Sequence, residues 1–403
     1  MHVNRDIKET KESISVIIDF CFLLLDFQPL HNLKRLNLSA SQELIKTPDL
    51  REAINLEWLS LRSCTKLREI HPSIGLIRKL CFLSLEDCTG LLKLPHFEEI
   101  QNLETLDLES CIKLEKIHPS IGLIRKLKFF ILKNCRSLTM LPHFGEDLNL
   151  EILNLQGCIE LRKINPSIAY LRKLSVLNLE DCKNLVSLPN SILCLNSLSY
   201  LNLSGCSKLS YIQLSEEARE EGRLKKPCMG EASLRSHSTS SIMKRWFKWP
   251  LHLLHSKAHK DSVSHLLPSP TFSCLRELDL SFCALLEIPE SVGNLHSIER
   301  LSLSGNSFSK LPNLKELSKL YHLVLSHCKQ LKYWPELPSR TNMPEEIPED
   351  IIISGLEALN CPKLVEIERE RCTGMTVSWM IQILEVCTFL LSLSLFLCVN
   401  SMN

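Results

Sequence analysis

The chain has 403 residues, a formal net charge of +1 at pH 7, and 44% hydrophobic residues; this balance describes an ordinary globular chain and excludes a global electrostatic pull toward nucleic acid. With Gly at 12, the composition is neither collagen-like nor that of a disordered chain. Eighteen cysteines would suit a disulfide scaffold only in a much shorter secreted chain.

Residues 14–25 are apolar but hold Asp19, with Asp26 close behind and no small-residue cleavage site. The segment 1–32 is therefore expected to cap the first repeat and not to act as a signal peptide. From Leu33 a frame L-x-x-L-x-L-x-x-C begins, and it restarts at Leu56, Leu80, Leu103, Leu127, Leu150, Leu174 and Leu198, then at Leu275, Ile298 and Leu320. Phe130 stands for one leucine. A period of about 23 residues with this spacing is the leucine-rich-repeat signature.

Within L-x-L the period is two, which places both leucines inward on a short strand and the residues between them outward. One repeat cannot bury its apolar face alone. The expected fold is an α/β leucine-rich-repeat solenoid, a curved horseshoe with a parallel concave sheet and about eleven repeats of about 22–24 residues, interrupted by one long loop.

The boundaries follow from the frame: a first repeat block over 33–212, an insertion over 213–273, a second block over 274–340, a degenerate repeat and cap over 341–376, and an apolar tail over 377–403. Residues 56–102, 103–149 and 150–196 align as three equal units, so His71-Pro72-Ser73-Ile74 returns as His118-Pro119-Ser120-Ile121 and as Asn165-Pro166-Ser167-Ile168. Duplication of a two-repeat block is the simplest account. Proline in each connection fixes φ and withholds a donor, which suits a convex turn and opposes a long helix there.

Nine cysteines end the frame: Cys64, Cys88, Cys111, Cys135, Cys158, Cys182, Cys206, Cys283 and Cys328. In the frame that starts at Ile298, Asn306 takes their place. In that inward turn the side chain donates to the backbone of the neighbouring coil, which a thiol does weakly while packing as a small hydrophobe. These cysteines are expected to be buried, reduced and structural. Their spacing does not supply a zinc site, which needs ligands a few residues apart.

No catalytic constellation is legible, and neither a phosphate-binding G-x-x-x-x-G-K-[ST] loop nor a G-x-G-x-x-G turn occurs. His71 and His118 are repeat equivalents, replaced by Asn165 in the third copy, which points to a convex-surface role. Cys81, Cys194 and Cys274 lie near repeat starts without a neighbouring base. No enzyme activity, cofactor or metal is expected.

The concave face is where function is expected. Its outward positions include Trp58, Ser60 and Arg62, then Phe82, Ser84 and Glu86, and so on along the sheet. The last positions form a row, Arg62, Glu86, Glu109, Lys133, Gln156 and Glu180. Parallel strands lie about 4.8 Å apart, so Arg62 should face Glu86, and Glu109 should face Lys133. The first positions, Trp58, Phe82, Phe129, Ile152, Val176 and Tyr200, make an apolar stripe beside that row. Exposed aromatics near charges serve as interface anchors; packing by a flanking domain is the alternative. The candidate protein-binding residues are Trp58, Arg62, Phe82, Glu86, Asp107, Glu109, Phe129, Lys133, Gln156, Glu180 and Tyr200.

Within the insertion, an acidic run at 216–221 gives way to residues 223–260, rich in Lys, Arg, His and Ser, with Glu231 as the one acid. Such a segment is expected to be a mobile loop. Its octet at 243–250, Met-Lys-Arg-Trp-Phe-Lys-Trp-Pro, could touch phosphate or a membrane surface, or dock locally on the solenoid. The stretch 377–399 is long enough to cross a bilayer but contains Gln382 and Glu385, so it reads either as a tail anchor or as a helix over 378–386 closing the solenoid.

The run from Leu174 to Ile192, the phrase Leu198-Ser199-Tyr200-Leu201-Asn202-Leu203-Ser204-Gly205-Cys206, the Lys244-Arg245-Trp246-Phe247 segment and the resumed frame at Leu275–Cys283 resemble the repeat domain of plant intracellular immune receptors. More narrowly, they are similar to the Toll/interleukin-1-receptor-type nucleotide-binding class of disease resistance proteins, over about residues 30–385. The resemblance implies a sensor, cytoplasmic, whose outward strand positions meet a protein partner: a pathogen effector, a guarded host protein or a full-length immune receptor. From the charge balance no nucleic acid partner is expected; membrane contact through 377–399 is the alternative location. The signalling, nucleotide-binding and post-repeat β modules of that class are not found in this sequence, so a truncated form is expected. A general repeat scaffold or adaptor and a membrane-tethered decoy are the alternative functions.

Overall fold

The computed structural model describes residues 13–15, 30–97, 99–209, 272–333, 336–338 and 355–363. Thirteen strands among these residues form one parallel sheet in strict sequence order: β1 (Ser13–Ser15), β2 (Arg35–Asn37), β3 (Trp58–Ser60), β4 (Phe82–Ser84), β5 (Thr105–Asp107), β6 (Phe129–Ile131), β7 (Ile152–Asn154), β8 (Val176–Asn178), β9 (Tyr200–Asn202), β10 (Glu277–Asp279), β11 (Arg300–Ser302), β12 (His322–Val324) and β13 (Gly355–Glu357). The solenoid expected from the leucine frame is present.

Register follows from the inward leucines. Leu36 pairs with Leu59, Leu59 with Leu83, Leu83 with Leu106, and Leu106 with Phe130, all of them 0% exposed. A slip by one residue would turn every such side chain to the opposite face. Removing a leucine-sized side chain from water stabilises by roughly 1.5–3 kcal/mol, so each coil opposes a slip by several such side chains.

The convex side departs from the α of the α/β expectation, because no α-helix occurs among the described residues. Three-ten turns stand there instead, at Pro72–Leu76, Pro119–Leu123 and Pro166–Tyr170, each with proline at its start. Proline fits a first helical position and cannot continue one. Connections this short close with i to i+3 bonds and leave no room for further turns. Ile74, Ile121 and Ile168 point from these turns into the core and are 0% exposed.

Two strands fall where the frame is hidden. β1, inside the segment expected to cap the solenoid, pairs in parallel with β2. β13, inside the degenerate region, pairs with β12. The sheet also runs unbroken from β9 to β10, with Leu201 against Leu278, although residues 210–271 separate them in sequence and lie outside the described residues. Thus the expectations for the basic octet at 243–250 and for the tail at 377–399 also lie outside the described residues.

Candidate functional site

Each concave strand ends in a turn of constant design. The residue before the frame cysteine has positive φ, as at Ser63 (59°), Asp87 (59°), Ser110 (61°), Asn134 (59°) and Asp181 (55°), with glycine at 157, 205 and 305. Side chains at the third strand position cap the turn. The Asn154, Asn178 and Asn202 Oδ1 atoms accept the amides of Gln156 (3.0 Å), Glu180 (2.9 Å) and Ser204 (2.8 Å), and Asp107 accepts that of Glu109 (3.0 Å). This row holds the outward row in place, because each cap fixes the backbone two residues on.

Below it runs the column of thiols. Cys64, Cys88, Cys111, Cys135, Cys158, Cys182, Cys206 and Cys328 each donate to a leucine carbonyl of the preceding coil at 3.1–3.3 Å. Cys283 does so to Leu203 at 3.0 Å across the insertion. Burial pushes the Cys135, Cys182 and Cys283 thiols up to about 12, which keeps them protonated and unreactive. All nine are buried and form no disulfide. Asn306 does more in the same place: its Nδ2 donates to the Leu280 and Leu303 carbonyls (2.9 and 2.8 Å), while its Oδ1 accepts the Cys283 and Leu285 amides (3.2 and 3.0 Å). Sequence reasoning missed a further member, Cys361, which donates to the Leu325 carbonyl at 3.1 Å. Ala358 stands there for the frame leucine, and the phrase Cys-x-x-Leu at Cys361–Leu364 was the remaining signal.

On the outward face the structure brings the expected ion pairs together, Arg62 with Glu86 and Lys133 with Glu109, both at 2.8 Å. Trp58 and Phe82 stack with centroids 5.3 Å apart and planes 8° from parallel. The Arg35 guanidinium lies 5.7 Å from the Trp58 ring centre. The apolar stripe is less open than the sequence suggested. Phe129, Ile131, Ile152 and Val176 are 2–6% exposed and pack as a cluster separate from the main core, with Tyr200 half-buried at its end. Ile131, a third-position residue, fills the place a polar cap occupies elsewhere, so Phe129 is sealed between large neighbours and is not an exposed anchor. Trp58 and Phe82 remain half-buried.

Asp107 sits between the ion pairs, with the Glu109 amide at 3.0 Å and the Ser84 hydroxyl donating at 3.4 Å. Burial, and then the Glu109 charge, raise its carboxyl to about 6. Glu86 rises to about 7: burial leads, Asp107 adds to it, and together these outweigh Arg62. Glu180 is raised by burial and by Asp181 and Asp279. At the other end of the apolar cluster, Asn202 Nδ2 lies 3.3 Å from both the Tyr200 hydroxyl and Glu180 Oε2.

The convex histidines are structural caps. His71 Nδ1 accepts the Ser73 amide at 3.2 Å and lies 2.9 Å from the Ser73 hydroxyl. Asp49 is 3.8 Å from the same nitrogen, a trio of side chains that would read as catalytic on residue type alone. Ser73, however, is 3% exposed and its oxygen accepts the Leu50 amide at 2.8 Å. The second copy repeats the cap at His118 and Ser120, with His96 where Asp49 was, and the third uses Asn165 Oδ1 on the Ser167 amide at 2.9 Å. His118 also meets His96, with ring centres 4.5 Å apart, a contact between neighbouring coils that the sequence did not reveal. Among the described residues, no group of three or more His, Cys, Asp or Glu could hold a metal ion, and no helix is long and apolar enough to cross a membrane.

The Leucine Rich Repeat family model matches residues 274–295. Over 318 residues, 78% of this chain and 25% of the other, the sequence is 33% identical to TMV resistance protein N of Nicotiana glutinosa. Over 147 residues, 36% of this chain and 12% of the other, it is 34% identical to Disease resistance-like protein DSC1 of Arabidopsis thaliana. The chain thus spans about a quarter of the length of the first relative. A leucine-rich-repeat protein of Leptospira interrogans aligns with 87% of this chain and 96% of its own, at 22% identity and a TM-score of 0.38.

Proposed function

From the premise that the chain is a leucine-rich-repeat protein homologous to plant disease resistance proteins, we propose that it is a non-catalytic protein-recognition module of plant innate immunity. It senses a pathogen effector or a guarded host protein in the cytoplasm. The observation that carries this reading is the concave strip in which a half-buried Trp58–Phe82 stack lies beside the paired charges Arg62–Glu86 and Lys133–Glu109. Aromatics flanked by fixed charges on a rigid scaffold lose little entropy on binding and anchor protein partners.

The buried thiol column and the histidine caps support this reading, since the thiols donate to carbonyls of the neighbouring coil and the His71 and His118 Nδ1 atoms cap the convex turns. The test is to express the tagged chain in leaf tissue, with and without Trp58→Ala and Phe82→Ala, and to compare co-purified proteins and the cell-death response. Partners and response lost together in the double variant are expected. Unchanged partners and an unchanged response would remove the concave strip as the site.

A further inference from the structure

Resting on that reading of the concave face, we propose that its β3–β6 section takes a cationic polypeptide: an extended segment whose apolar side chain lies on the Trp58–Phe82 stack while its lysine or arginine enters among Glu86, Asp107 and Glu109.

The charge pattern selects this occupant. Arg62 pairs with Glu86 and Lys133 with Glu109, both at 2.8 Å, and Arg62 also attracts Asp107 at longer range. Asp107, between them, is held by neutral donors, the Glu109 amide and the Ser84 hydroxyl. Three carboxylates therefore share two cations. The raised proton affinities of Asp107 and Glu86 express that excess, because burial and mutual repulsion both oppose ionisation. Further along the same face Glu180 and Asp279 are raised as well, with burial the leading cause, so the negative character continues past the apolar cluster. An anionic surface or nucleic acid would be repelled. A lone metal ion would leave the aromatic stack unused, and no metal-holding group occurs among the described residues.

Geometry sets the spacing of the partner's side chains. Asp107 pairs with Ser84, two residues beyond Phe82 and one strand over, so it stands about 7 Å along and about 5 Å across from Phe82, about 8 Å in all. Extended chain covers about 3.3–3.6 Å per residue, so the apolar and basic side chains lie about two or three residues apart. Entry of the cation displaces protons from Glu86 and Asp107. Binding therefore releases protons near pH 6.5 and strengthens as the pH rises; the other charged groups beside this site are Arg62, Asp87 and Lys133, in the turns after β3, β4 and β6, and Arg35 of β2, whose guanidinium lies over the Trp58 ring.

The experiment uses the full chain and two synthetic peptides, three Phe-Gly-Lys units with blocked ends and the same peptide with Glu for Lys. Calorimetry at pH 6.5 in two buffers of different ionisation enthalpy should show the lysine peptide binding about tenfold tighter or more, with proton release. The triple variant E86Q/D107N/E109Q should lose that preference. The variant R62Q/K133Q, which leaves the acid excess bare, should bind the lysine peptide more tightly, so misfolding cannot mimic both results. Equal affinity for the two peptides, or no response to either variant, would overturn the proposal. If Trp58→Ala with Phe82→Ala abolishes partner capture in leaf tissue while both peptides bind alike, the cation preference falls and concave recognition stands. If the lysine peptide binds as expected while that double variant keeps every partner, the cation site stands and the recognition reading falls.

Discussion

Replacing His118 separates the capping role of this side chain from every other, because the third copy of the repeat carries its own control. His118 Nδ1 accepts the Ser120 amide at 3.2 Å and lies 2.9 Å from the Ser120 hydroxyl, which itself accepts the buried Phe97 amide at 3.0 Å. At the equivalent position Asn165 accepts the Ser167 amide at 2.9 Å. His118→Ala removes the acceptor and should cost about 1 kcal/mol, the usual worth of such a cap. His118→Asn restores it and should be near neutral at pH 7.5. Burial and the neighbouring His96 lower the His118 pKa below its ordinary value. A histidine depressed in the folded state binds its proton more readily when unfolded, so its contribution is complete above about 6.5 and is lost as the pH falls below that. Protonation also turns Nδ1 from acceptor to donor, abolishing the cap. Glu86 and Asp107, raised in the fold, act in the opposite sense, since their protonation favours the folded state as pH falls. The comparison must therefore be between variants at each pH. Urea denaturation followed by circular dichroism at pH 7.5 and 5.5 should show the native chain approaching His118→Ala at the lower pH while His118→Asn moves above both. Equal destabilisation by Asn and Ala, or a gap between native and His118→Asn that does not widen at pH 5.5, would refute the capping argument.

Further outcomes rest on single features. Gly305 has φ of 68° and an added Cβ would meet the Phe282 ring, so Gly305→Ala should destabilise by about 1–3 kcal/mol in urea denaturation. Phe282 itself has φ of 56° and is 53% exposed; Phe282→Gly should stabilise by up to about 1 kcal/mol, measured the same way. Because β9 and β10 pair in register, replacing residues 210–271 with a copy of residues 186–194, which link the equivalent Leu185 and Leu195, should preserve the far-ultraviolet spectrum and cooperative unfolding. In thiol alkylation followed by mass spectrometry, exposed Cys274 should react well before Cys111, Cys135 or Cys158, whose buried thiols are held protonated.

What could be read without coordinates was whatever repeats with fixed period. The inward leucines, the thiol column and the pairs Arg62–Glu86 and Glu109–Lys133 follow from a two-residue alternation and an equal register between coils, both local properties of the sequence. Depth across the concave face was not legible. Phe129 and Phe82 hold the same frame position, yet Phe129 is 5% exposed because Ile131, Ile152 and Val176 close around it, while Phe82 has Trp58 and Thr105 as its strand neighbours. That difference depends on the sizes of side chains on adjoining strands, which the frame leaves free. The His96–His118 contact was hidden for the same reason, being made between coils by residues at unequal frame positions. β1 was not foreseen, and β13 was foreseen only as part of a degenerate repeat within 341–376, because too few frame leucines remain there to mark a period; pairing with an existing sheet edge supplied what local pattern did not.

The central claim, that the concave strip and not another face recognises the protein partner, is tested most directly by scanning two faces side by side. Proteins captured from leaf tissue by the native chain would be quantified for Trp58→Ala with Phe82→Ala on the concave face, and for Leu76→Ala with Leu123→Ala on the convex turns, where these leucines are 50% and 63% exposed. The account predicts loss of the partner in the first pair and full retention in the second. Retention in the first with loss in the second would contradict it.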